Sequence, residues 1–222
     1  MSNPVKRCRY FRPWWRTRFR PLTRHRPVAG PRSVLPREFF RAPASQVAPR
    51  LLGCVVRSGP VAVRITEVEA YDQSDPASHS FKGPTRARRT MFGPPGHLYV
   101  YFTYGMHFCG NLTCEDEGRG AGVLLRSGEV VDGLDVAWKR RGNAVPFRNL
   151  ARGPARLAQA MGWTREDDGS DYLDSVTAGD PIEGISVGPR VGVANAADTP
   201  WRFWITDDRF VSAYRRHSSA TP

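Results

Sequence analysis

The chain has 222 residues, 40% of them apolar, which is enough for one domain with a sizeable core. No apolar run approaches the roughly 18 residues of a membrane-spanning helix, and no apolar stretch ahead of a small-residue cleavage site marks a secretory signal. The formal charge of +12 is uneven: residues 1–41 hold twelve Lys or Arg against the single acid Glu38, a net of +11, while the remainder sets 21 basic against 20 acidic residues.

Residues 1–34 are rich in Arg and Pro, with Tyr10, Phe11, Trp14, Trp15 and Phe19 interleaved. Such a segment carries too little apolar surface to fold alone and is predicted to be a disordered basic arm. Three readings of it stay open: a phosphate-binding arm whose aromatics stack on bases, a solvated tail or an extension from a misassigned start, and an acid-poor transit peptide. The folded domain is expected over residues 35–217, with 218–222 as a short tail.

From Leu35 the texture changes. Arg37 to Phe40 opens a mixed segment, and Ala48 to Val56 predicts a helix running into a strand. Val61 to Tyr71 predicts a strand, with Val61, Val63 and Ile65 leading into Glu67, Glu69 and Tyr71 on the same face. Residues 72–97 predict a loop, punctuated by Asp75-Pro76, Gly83-Pro84 and Gly93-Pro94-Pro95-Gly96. Leu98 to Thr103 alternates, with Leu98, Val100 and Phe102 pointing one way and Tyr99, Tyr101 and Thr103 the other. A turn at Tyr104-Gly105 would return the chain as a partner strand, Met106 to Thr113. Gly122 to Arg126 is a further apolar strand. Asp132 to Arg141 predicts a helix, acidic at its start and basic at its end, as the helix dipole favours, with Gly142 as its stop. Pro154 to Met161 predicts another, with Pro in the first turn and Gly162 after it. Arg190 to Val193 and Arg202 to Ile205 are late strands. Strands in irregular order among scattered helices make an α+β fold.

Two carboxylates two residues apart on a strand, Glu67 and Glu69, face one side. One of them could activate water for attack on an anomeric carbon while its charge stabilises an oxocarbenium-like transition state. Solvated strand faces also carry such pairs, so the pattern alone does not decide. Tyr99 and Tyr101 on one face can stack on a planar base, at about 1–3 kcal/mol per base. That matches the few kcal/mol needed to extrude a nucleotide, with Tyr104 as a plug for the vacated hole; the same tyrosines also fit as cross-strand pairs. Arg126, at the end of GVLLR, could orient a phosphate or a water, or serve a structural ion pair. His79 lies in a loop. The cysteines Cys8, Cys54, Cys109 and Cys114 form no CxxC pair; small buried thiols, rather than a metal site with His107, are expected, in a reducing compartment.

Taken in order, ITEVEAY, DPASHS, MFGPPGHLYVYFTYGMHFCGN, GVLLRSGE, GPARLAQAMG, RVG and WRFWI resemble the alkyladenine (3-methyladenine) DNA glycosylases of mammals and many bacteria, over about Phe39 to Ser212. The resemblance implies a single α+β domain around a curved antiparallel sheet, similar to the C-terminal domain of formyltransferases. It implies that Glu69 deprotonates the attacking water, that Tyr71 and Tyr101 stack on the flipped base, and that His79 sandwiches and hydrogen-bonds it. Tyr104 would wedge into the minor groove. Asn111 would narrow the pocket against the amino group of guanine, and Arg126 would lie near the water and the target phosphate. One loop departs from the family's GRTPRN: here Gly83 to Thr90 carries Arg86, Arg88 and Arg89, which keep positive charge for the DNA backbone.

The expected activity is hydrolysis of the N-glycosidic bond of alkylated or deaminated purines (3-methyladenine, with hypoxanthine and ethenoadenine as candidates) in double-stranded DNA. No metal or organic cofactor is required. A lyase step would need an amine; with only Lys6, Lys82 and Lys139 available, a monofunctional, monomeric enzyme leaving an abasic site is expected. It would work at the nucleoid of a bacterium or in a eukaryotic nucleus. The alternative is a non-catalytic module that senses damaged nucleic acid.

Overall fold

β-branched residues dominate Val61–Tyr71 (β2), and this strand forms as the pattern predicts and becomes the spine of the sheet. A computed structural model describes residues 33–103 and 105–221; the arm over residues 1–32 and the predicted wedge, Tyr104, lie outside the described residues. Two helices, Arg37–Phe40 (α1) and Ala44–Leu51 (α2), lead to β1, Val55–Ser58. After β2 the chain runs through turns and a short 3-10 segment at Arg89–Phe92 into a hairpin, His97–Thr103 (β3) and His107–Thr113 (β4). A long strand, Gly122–Asp132 (β5), precedes helix Leu134–Arg141 (α3), the two-residue strand Ala151–Arg152 (β6) and helix Pro154–Met161 (α4). Short strands Ser170–Asp171 (β7), Val176–Thr177 (β8), Ile185–Gly188 (β9) and Arg202–Ile205 (β10) complete the order.

The described residues form a ten-stranded sheet with the path β7-β3-β4-β5-β2-β1-β8; β6 pairs with β5, and β10 joins β2 to β9. All named pairings are antiparallel. β2 is long enough to serve two neighbours on one edge: its first half pairs with β1 and its second half, bearing Glu67 and Glu69, with β10. This is an α+β domain, a large antiparallel sheet with a few helices. Helices α2 and α4 cover one sheet face, where Val47, Leu51, Leu157 and Met161 join Leu98, Val100, Leu112, Val123 and Leu125 in the core.

The predicted single face of β2 is corrected. Val61, Val63 and Ile65 lie in the core, but so do Val68 and Ala70. The register explains it. Ile65 faces Gly128, Glu67 faces Ser127 and Val68 faces Leu125, so Thr66 on β2 and Arg126 on β5 each stand as one unpaired extra residue. This double bulge reverses the inside–outside alternation of both strands at once. The aliphatic positions keep to the core, and Glu67, Glu69 and Tyr71 are turned to the other face.

Two further expectations differ. The helix predicted from Asp132 starts at Leu134, because Asp132 still belongs to β5 and Gly133 turns the chain with φ +67°. A Cβ at Gly133 would collide with the Pro60 carbonyl, so only glycine fits. Arg190 to Val193 is not a strand; it is an irregular, half-buried bend with Arg190 itself buried, and the late strand lies earlier, at Ile185–Gly188.

Candidate active site

The hairpin alternation holds on both faces: Leu98 and Val100 enter the core, while Tyr99, Tyr101 and Thr103 line a cavity of about 640 Å³ on the other side of the sheet. That size is in the range of small-molecule sites, roughly 300–1,000 Å³. Glu69, Tyr71, His79, Asn111 and Arg126 line the same cavity, so seven residues singled out in the sequence, Tyr99 and Tyr101 included, converge from four strands and a loop.

Aromatic rings form one wall. His79 meets Tyr101 edge-on at 4.5 Å between ring centroids, and Tyr99 stacks on Tyr101 at 5.7 Å with an interplanar angle of 24°. The Tyr99 hydroxyl and His79 Nδ1 are 3.2 Å apart. Burial, and then the charge of Arg88, hold the His79 imidazole below its ordinary 6.5, which favours the neutral ring. Burial likewise pushes the Tyr99 phenol up to about 12 and the Cys109 thiol, also in the wall, up to about 11. Both of these groups enter the cavity uncharged. Asn111, buried on β4, donates from Nδ2 to the Tyr99 carbonyl at 3.4 Å.

The carboxylates have different surroundings. Glu67 is fully buried and saturated: it accepts from Arg126 Nε (3.1 Å), Arg202 Nε (2.7 Å), the Ser127 hydroxyl (2.8 Å), and the Ser212 amide (2.7 Å) and hydroxyl (3.0 Å). Burial alone would raise its carboxyl; the Arg126 and Arg202 charges and the Ser212 hydrogen bonds reverse that and leave it below its ordinary value. Glu69 lines the cavity. It accepts from the Tyr71 hydroxyl on Oε2 (2.8 Å) and from the Val191 amide on Oε1 (2.7 Å), with Arg126 3.3 Å away. Arg126, bulged out of β5, thus bridges both acids.

The sequence did not show what fixes this arrangement. Arg190 is buried against Asp75, forking onto both carboxylate oxygens, and donates to the Ala70 carbonyl at 3.1 Å. Its guanidinium lies 4.7 Å from the Tyr71 ring centroid and 5.5 Å from that of Trp201. This clamp holds the back of Tyr71 and sets the following residue, Val191, against Glu69. Its partners are 115 positions apart, and no local pattern announces such a pair. The adjacent Arg-Val-Gly was the only signal.

None of the predicted backbone arginines Arg86, Arg88 and Arg89 lines the cavity. Arg86 and Arg89 are exposed and line a neighbouring concavity with Arg165 and Asp168, while Arg88 is half-buried beside His79. Among the described residues no cluster of three or more His, Cys, Asp or Glu side chains could hold a metal ion, and no helix is long and apolar enough to cross a membrane.

An aromatic-walled slot with one hydrogen-bonded carboxylate at its side suits a planar ring that is to be cut from something by water, and so belongs to a hydrolase. Comparison with known proteins specifies it. The sequence model of the family "Methylpurine-DNA glycosylase (MPG)" matches residues 38–209. A protein of Streptomyces avermitilis, provisionally named a 3-methyladenine DNA glycosylase, is 48% identical over 206 residues, 86% of this chain and 97% of its own length. Proteins of the same provisional name from Leifsonia xyli subsp. xyli (48% identical; 83% of this chain, 94% of theirs) and Nocardia farcinica (49%; 78% and 88%) agree. The chain belongs to the methylpurine-DNA glycosylase family. It is a DNA glycosylase of the 3-methyladenine type, a hydrolase that acts in DNA repair.

Proposed function

We propose that the cavity receives an alkylated purine swung out of double-stranded DNA and that Glu69 directs water at its sugar. The observation that carries this reading is the Glu69 carboxylate, held by Tyr71 and Val191 at the side of a slot walled by Tyr101, Tyr99 and His79. The base stacks between Tyr71, His79 and Tyr101. Glu69 takes a proton from water, the oxygen bonds to the anomeric carbon, and the N-glycosidic bond breaks with its electron pair leaving on the base. The product is an abasic site. Arg126 orients the carboxylate and the target phosphate, Asn111 narrows the slot against a purine 2-amino group, and Tyr104 fills the vacated position in the duplex.

A cationic 3-methylpurine stacks well on electron-rich rings and leaves readily. Neutral hypoxanthine or ethenoadenine requires protonation or hydrogen bonding of the leaving base, so they are slower candidates. Lys82 and Lys139 are exposed and neither lines the cavity, which supports a monofunctional enzyme. Arg86, Arg88 and Arg89 supply charge for the flanking backbone. Glu69→Gln tests the reading: release of 3-methyladenine from a lesion duplex should fall at least a hundredfold, as expected for loss of a general base, with lesion binding retained. Release at the wild-type rate removes Glu69 from the mechanism.

A further inference from the structure

One wall of the cavity is built by residues 215–218, beyond the segment 38–209 that the family's sequence model matches. We propose that this C-terminal strap carries a binding site for one backbone phosphate of the lesion strand, with Arg215 as its cation; this rests on the reading under Proposed function. The strap is tied down on both sides of Arg215. The Ser212 amide and hydroxyl bond to Glu67 at 2.7 and 3.0 Å. The Thr221 amide donates to the Ala194 carbonyl at 2.7 Å, and the Ala197 amide to the Thr221 carbonyl at 2.9 Å.

Arg215 and Arg216 both line the cavity, but they are differently placed. Arg216 pairs with Asp198 at 2.5 Å. The Arg215 side chain is exposed and has no carboxylate partner among the described residues. An arginine presented without a counter-ion at the mouth of a slot for a DNA base fits a phosphate diester, which its planar fork can grip with two donors. Its main chain is also in register with the carboxylate. The Gly192 amide donates to the Arg215 carbonyl at 3.0 Å, and the neighbouring Val191 amide donates to Glu69 at 2.7 Å. Gly192 takes up φ +70°, and the consecutive amides of Val191 and Gly192 thus tie the Glu69 carboxylate and the Arg215 main chain to one bend. A phosphate held by Arg215 therefore fixes the sugar relative to Glu69.

The test uses the full chain and a duplex whose lesion nucleotide carries a 2′-fluoro group that blocks cleavage, compared with undamaged duplex. Arg215→Gln should fold with an unchanged Tm, bind the lesion duplex about tenfold more weakly, and lower the slope of log K against log salt by about 0.9, one phosphate's worth. Arg216→Gln, already paired, should change the slope less. In wild type, a single methylphosphonate at one phosphate flanking the lesion should weaken binding, and that penalty should vanish in Arg215→Gln. A wild-type slope in the variant, or a methylphosphonate penalty that persists at every position, overturns the proposal. If wild type does not prefer the lesion duplex over the undamaged one, the reading under Proposed function fails instead.

Discussion

At the residue scale, two glutamates with one residue between them are set apart by their partners. Glu67 carries the charge balance of Arg126 and Arg202, both buried. Glu67→Gln leaves Arg202 without its carboxylate and Arg126 with Glu69 alone, and should cost about 3–5 kcal/mol, read from urea unfolding at pH 7. The sign of its pH dependence is fixed. Its folded value lies below the unfolded 4.5, so its stabilisation is complete above about pH 4.5 and is lost as pH falls through the folded value. The gap between wild type and variant should therefore shrink in acid; a gap independent of pH would contradict the assignment. His79 offers a second check. Burial is the larger cause of its lowered value and Arg88 the smaller, so Arg88→Gln should raise the imidazole titration seen by NMR while leaving it under 6.5.

At the element scale, periodicity gave most of the segments, one wrong segment at Arg190–Val193 and, on β2, the wrong face. Val61–Tyr71, Pro154–Met161 and Arg202–Ile205 form as their patterns predict. The alternation of Leu98 to Thr103 also sorts Tyr99 and Tyr101 to the cavity. The reversal at Thr66 and Arg126 was not legible, because a bulge is defined by the partner strand and β5 follows β2 only after the hairpin. The bend at Arg190 resembled a strand for the same reason: its structure comes from Asp75, not from neighbours in sequence. The bulge rests on Gly128, where an added Cβ would lie 2.5 Å from the Arg64 carbonyl oxygen and collide with Val63. Gly128→Ala should cost at least about 1–3 kcal/mol, measured as a lowered urea midpoint with unchanged m-value; an unchanged midpoint would show that the paired strands can shift.

At the scale of the whole molecule, net charge and site come from separate parts of the sequence. The site was legible because stacking, acid and turn residues lie within Ile65 to Asn111, whereas Arg190, Arg202, Ser212 and the strap come from the last third of the chain. The charge of +12 belongs almost entirely to residues 1–41. If the arm binds phosphates, removing residues 1–32 should flatten the salt dependence of DNA binding while single-turnover release of base at saturating enzyme stays as in the full chain. Equal slopes with and without the arm would leave it a solvated tail.

The paired bulge also decides where this sheet can change in length. Thr66 and Arg126 are the residues that the ladder already passes over. Deleting Thr66 would join Ile65 to Glu67 in plain alternation and leave Val68 and Ala70 in the core and Glu69 and Tyr71 on the slot. Deleting Val68 instead would turn the later positions over, driving Glu69 and Tyr71 among aliphatic side chains and bringing Ala70 to the slot. Substitutions can reshape the walls of the slot one residue at a time, but beyond the bulge the reading frame of β2 is locked.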